Sequence, residues 1–147
     1  MARPYATEMS KLAETFSWAM SCDITALRQA VRTAGLSSLM AIGSGGSLTA
    51  AHALASLHRR WTGYLAAVAT PLEAISEPIA STTSSWLVSA GGSNVDILAA
   101  FQALVAREPR QLGIMCGKAD SPLASACLLY TSPSPRDRTR SRMPSSA

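Results

Sequence analysis

Apolar positions along the chain alternate between two rhythms. From Tyr5 to Met20 they fall at Tyr5, Met9, Leu12, Ala13, Phe16 and Ala19, the three-and-four spacing of an amphipathic helix, with Thr7 or Ser10 as possible caps. Asp23 then opens a second helix through Leu27, Val31 and Ala34 that Gly35 ends. After these the pattern changes to short unbroken apolar runs, each followed by a helix-prone stretch. Ser37 to Ile42, Tyr64 to Thr70, Trp86 to Val88 and Gln111 to Cys116 show little polar alternation, as strands covered on both faces do. The helix-prone stretches are Leu48 to Trp61, a short piece within Leu72 to Ile79 before Pro78, Val95 to about Arg107, and a start at Ser121-Pro122. Ser81 to Ser85 reads as a polar loop. Strands alternating with helices predict an α/β three-layer sandwich on a parallel sheet.

Two of the strand-to-helix corners are built from glycine and serine. Gly43-Ser44-Gly45-Gly46-Ser47 follows the first strand, and Ser89-Ala90-Gly91-Gly92-Ser93-Asn94 follows the third. Glycine allows positive φ and close backbone approach, and unpaired N–H groups at a helix N-terminus attract anions. In a parallel sheet both corners lie at the carboxyl ends of the strands and can face one ligand. An ordinary tight turn explains either corner alone; the pair is what points to a site.

Composition narrows the picture. The chain has 147 residues, 48% of them hydrophobic and only 5% aromatic, so a core of Ala, Leu, Val and Ile is expected. There is no run of about 18 apolar residues and no secretory h-region, which makes a cytoplasmic protein without a membrane partner the expectation. Cys22, Cys116 and Cys127 are too widely spaced for a zinc or disulfide framework. The net charge of +4 comes mostly from Arg136, Arg138, Arg140 and Arg142 against Asp137. The stretch before them is nearly neutral, so no nucleic-acid partner is expected.

Those arginines belong to a Ser/Pro/Arg-rich tail, Cys127 to Ala147, with almost nothing that packs. CLLYTSPSPRD and SRMPSSA resemble a transposase-type sequencing adapter read in one frame. The expected organisation is therefore N-terminal helices over 1–36, a domain over 37–126 cut short of its fifth strand, and a disordered, adapter-derived segment over 127–147.

Three pieces carry a resemblance to the SIS (sugar isomerase) domain family: AIGSGGSLTAAH (Ala41 to His52), VSAGGSNVDILAA (Val88 to Ala100) and GIMCGKADSPLA (Gly113 to Ala124). The resemblance implies a flavodoxin-like parallel sheet of five strands, four of them present here, and a bound phosphosugar or other carbohydrate derivative. It implies the N-terminal part of a sugar-phosphate isomerase or aminosugar-phosphate enzyme, acting as a homodimer in the full-length protein. The family's phosphate loop, S-x-S-G-x-[ST]-x-[DN], falls on Ser89 to Asp96. Ser89, Gly92 and Asp96 match, whereas Gly91 and Asn94 replace two hydroxyl residues and Ser93 stands one place early. The earlier loop resembles the family's G-x-G-x-S at Gly43, Gly45 and Ser47, with Ser44 a further candidate. Substrate-binding candidates are therefore Gly43, Ser44, Gly45, Ser47, Ser89, Gly91, Gly92, Ser93 and Asn94.

Isomerisation needs a base, and Glu73, just past the second strand, is the best carboxylate offered. A surface or capping role for Glu73 is the commoner fate of such a residue. The metal-binding His of one branch is not matched, because Ala50 stands where that branch has Asp and His52 is one place early. No metal or cofactor is expected. His58 reads as a packing residue. Two other readings stay open. One is a phosphosugar-sensing regulator, which 36 leading residues are short for; the other is a Rossmann-like nucleotide binder, for which Leu48 stands where the third glycine belongs and no acidic residue ends the second strand.

Overall fold

The computed structural model describes residues 9–21 and 23–129, with side chains through 126. Tyr5 and Thr7, Cys22, and the tail beyond Leu129 lie outside the described residues. The chain divides into two compact units, Met1–Val31 and Arg32–Ala147.

The first unit carries helix α1 (Leu12–Ser21) and most of α2 (Thr25–Ala34). Asp23 caps α2 by accepting the Thr25 N–H at 2.9 Å and its hydroxyl at 2.6 Å. These two donors hold the Asp23 carboxyl below its usual range.

The second unit is an α/β layer structure. In chain order it contains β1 (Leu39–Ile42), α3 (Gly46–Thr62), β2 (Ala66–Ala69), α4 (Pro71–Ser76), β3 (Ser84–Ser89), α5 (Val95–Arg107), β4 (Gln111–Cys116) and α6 (Pro122–Leu129). The four strands form one sheet in the order β2-β1-β3-β4, with every neighbouring pair parallel. The expected four-strand parallel sheet flanked by helices is therefore present, in flavodoxin-like order.

Period-two alternation sorts the core onto two faces. Ala41 and Val88 pack with Ala51 and Ala55 of α3 on one face. Ile42, Ala69 and Leu87 meet Ala74, Ile97, Phe101, Leu104 and Leu123 on the other. Alanine on α3 lets that helix lie close to the sheet, which is how a chain so poor in aromatics fills its interior. Trp86 is the exception. It is 2% exposed and stands opposite Gly113 in register, with its indole ring where a Gly113 Cβ would be.

Several boundaries differ from the sequence expectation. Ser84 and Ser85 belong to β3 and are fully buried, so the polar loop ends two residues earlier than expected. Ser84 is tolerated because its hydroxyl pairs with that of Ser37 at 2.8 Å. The short helix expected within Leu72 to Ile79 is present and begins one residue earlier, at Pro71, behind a capping box. It is tied down by Arg107, whose guanidinium donates to the carbonyls of Ala74, Ile75 and Glu77 (3.1 Å to the last). Helix α6 continues through Leu129, three residues into the segment expected to lack structure.

Candidate functional site

The strand order creates a switch point. The chain leaves β1 toward β2 on one side and returns to β3 on the other, so the loops after β1 and β3 diverge from a crevice at the carboxyl ends of those strands. These are the two Gly/Ser corners.

The corners are joined directly. The Ala90 N–H, in the second loop, donates to the Ser47 hydroxyl of the first at 3.2 Å. Ser47 can do this because helix α3 begins at Gly46 and presents it in the first turn. Two glycines shape the approach. Gly45 adopts φ +54°, ψ −130°, a conformation side chains disfavour. Gly43 lies so near Ser47 that an added Cβ would sit 2.6 Å from its carbonyl oxygen. Among the described residues, the N–H groups of Ser44, Gly45 and Gly46 have no partner within the chain, and all three residues are exposed. Three consecutive free amides at the start of a 17-residue helix concentrate positive partial charge there.

The second loop is used differently. Gly92 turns at φ +61°, and its N–H donates to the Ser89 hydroxyl at 3.0 Å. The Asn94 side chain accepts the Asp96 N–H at 2.7 Å and is the cap of α5. The amides of Ala90, Gly92 and Asp96 are therefore satisfied within the chain, whereas those of Gly91, Ser93, Asn94 and Val95 have no partner among the described residues. Ser93 is exposed, and its hydroxyl has no partner among the described residues. Ser89 is half-buried and still has its own proton to donate.

A third loop, after β4, completes the rim. The Gly117 N–H donates to the Ser89 carbonyl at 3.2 Å, and an added Cβ on Gly117 would meet the Ala90 carbonyl oxygen at 2.7 Å. Ser121 caps α6 by accepting the Ala124 N–H at 3.2 Å, and its hydroxyl lies 3.2 Å from the Cys116 thiol. Both side chains press on Gly92, leaving no room for a Cβ there. The sequence reading missed Ser121, Cys116 and Gly117 as parts of this rim. The cap signal Ser121-Pro122 was visible, but its contact with Gly92 depends on the sheet pairing β4 beside β3.

Glu73 stands in another role. Its carboxylate accepts the Thr70 N–H at 2.7 Å and the Thr70 hydroxyl at 2.8 Å, while the Glu73 N–H donates back to that hydroxyl at 3.3 Å. The backbone donor first, and the hydroxyl second, hold its pKa below the usual carboxylate value. A base for carbon acids needs the opposite shift, so the geometry is that of a helix cap. His58 is buried toward the far end of the strands, where its Nε2 donates to the Ser37 carbonyl at 2.9 Å. His52 is exposed on α3.

No family model matches the chain, and no curated protein matches it. Solved structures do. A provisionally described sugar-phosphate isomerase from Listeria monocytogenes superposes with a TM-score of 0.60 at 17% identity, over 84% of this chain and 71% of that one. Tagatose-6-phosphate ketose/aldose isomerase from Escherichia coli gives 0.57 at 14% identity, over 86% of this chain. This chain spans 34% of the length of the E. coli enzyme. The likeness defines the class by fold: a parallel α/β domain of the kind found in sugar-phosphate isomerases.

Proposed function

We propose that this chain is a SIS-type domain that binds a phosphorylated sugar or related carbohydrate derivative at the rim formed by its Gly/Ser loops. In this reading it is the N-terminal part of a sugar-phosphate isomerase or aminosugar-phosphate enzyme. The observation that carries it is the Ser47–Ala90 hydrogen bond, which holds the two loops together over the switch point beside three free amides. The resemblance of both loops to the family's motifs and the fold shared with sugar-phosphate isomerases support it.

The rim suits a phosphoryl group held by backbone dipoles and hydroxyls. Ser44, Gly45 and Gly46 supply N–H groups, and Ser44, Ser93 and Ser89 supply hydroxyl donors. In this reading neither Glu73, committed to Thr70, nor His58, committed to Ser37, is the base that moves the proton in an isomerisation.

The test is a thermal-shift and calorimetric panel of aldose and ketose phosphates, the parent sugars and inorganic phosphate. Sugar phosphates should raise the melting temperature and parent sugars should not. Gly45→Val, which strains the positive-φ turn that presents the amides, should abolish the response. A response to parent sugars equal to that for their phosphates, or none to any compound, overturns the reading.

A further inference from the structure

The start of α6 grips the loop after β3 at Gly92. The Leu123 N–H donates to the Gly92 carbonyl at 3.0 Å, and the Ser121 and Cys116 side chains fill the space a Gly92 Cβ would need. Ser121 is 3% exposed, and its hydroxyl closes the turn that opens α6: it donates to the Lys118 carbonyl at 2.9 Å and accepts the Ala124 N–H at 3.2 Å. Pro122 has no N–H, so Leu123 and Ala124 supply the first donors of this helix, one to Gly92 and the other to Ser121. The Gly92 carbonyl and the Ser93 N–H belong to one peptide unit. That unit is planar and trans, so the two bonds point in opposite directions. Holding the carbonyl against α6 therefore turns the Ser93 N–H away from α6, and this N–H has no partner among the described residues.

We propose that Ser121 is a positioning residue of the candidate site: through the first turn of α6 it sets the direction of a ligand-binding amide, and it thereby couples α6 to the ligand. The proposal rests on the reading of the rim as a phosphoryl site. Ser121 acts through Leu123 and Gly92 rather than on the ligand. Such a coupling is reciprocal. An anion that orders the Ser93 N–H on one edge of the peptide unit tightens the Leu123 bond on the other.

Amide hydrogen exchange and calorimetry on the full chain, with inorganic phosphate as the probe, are the test. Saturating phosphate should slow exchange at Leu123 and Ala124 of the wild type at least several-fold. Ser121→Ala should bind phosphate at least several-fold more weakly and lose that protection. Arg107→Ala, destabilised away from the rim, should keep wild-type affinity and protection below its melting temperature, which separates positioning from a general loss of stability. Phosphate that binds the wild type but leaves Leu123 and Ala124 unchanged, or that binds Ser121→Ala equally well, overturns this inference and leaves the phosphoryl site standing. A wild type that binds no phosphate overturns both.

Discussion

The Ser47 hydroxyl accepts the Ala90 N–H at 3.2 Å across 43 residues of sequence. That one bond ties the loop after β1 to the loop after β3, and the candidate site depends on it. The bond is partly exposed, so its strength is modest and its role is chiefly positional.

Ser47→Ala should therefore cost about 1 kcal/mol of stability and loosen both loops. Urea unfolding measures the first effect. The second should show as at least a several-fold weaker sugar-phosphate response by calorimetry, and an unchanged response would mean the loops hold their arrangement without the bond.

Adjacent glycines should behave oppositely. Gly92→Ala combines a positive φ with a Cβ driven into Ser121 and Cys116, and should cost about 2–4 kcal/mol. Gly91→Ala has only the Ser93 hydroxyl within reach, at 3.8 Å, and should change stability by less than about 0.5 kcal/mol. Equal losses in paired denaturation curves would contradict this geometry.

Gly113→Ala pushes a methyl group into the Trp86 ring, 2.5 Å from its nearest atoms. Overpacking of this kind costs about 1–3 kcal/mol, and the indole should report it as a shifted emission maximum. If stability and emission both stay at wild-type values, the ring does not rest on that strand.

The pH dependence of Glu73 follows from its lowered pKa. Because the folded value lies below the unfolded one, the carboxylate contributes stability that is fully present above the unfolded pKa and fades as pH falls through the folded one. Glu73→Gln should be less stable than wild type at neutral pH, and the gap should close at pH values below its ordinary 4.5. Melting curves at several pH values check this; a gap that widens in acid would reverse the assignment.

Arg107→Ala should cost about 2–3 kcal/mol, since one guanidinium satisfies the last carbonyls of α4. Lysine should restore only part of the loss, because it lacks the planar fork. Chemical denaturation of the three proteins orders them.

Much of the fold could be read from the chain because its signals are local. The apolar run Leu87-Val88 and the cap Asn94 before a helical stripe each need only a few neighbouring residues to be recognised. Ser84 and Ser85 could not be read that way. Two serines after a Thr-rich stretch look like loop; pairing with Leu39 and Gln111 makes Ser84 a strand residue, and the Ser37 hydroxyl satisfies its buried side chain. Glu73 differs: Thr70-x-x-Glu73 is a capping box contained in four residues, so the capping role, the commoner fate of such a residue, is itself a local signal.

By itself, the sequence determined that strands and helices alternate, that two glycine-serine turns follow the first and third strands, and which residues line them, because propensity, capping and periodicity act over a few residues. The tertiary structure decided how the rim is held together. Parallel pairing of β3 beside both β1 and β4 brings Ser47 to Ala90 and Ser121 to Gly92, and these partners come from residues far apart in the chain. The Gly92 and Asp96 amides find near neighbours in Ser89 and Asn94, but the contacts that join separate loops are a property of the packing that no single stretch of the chain encodes.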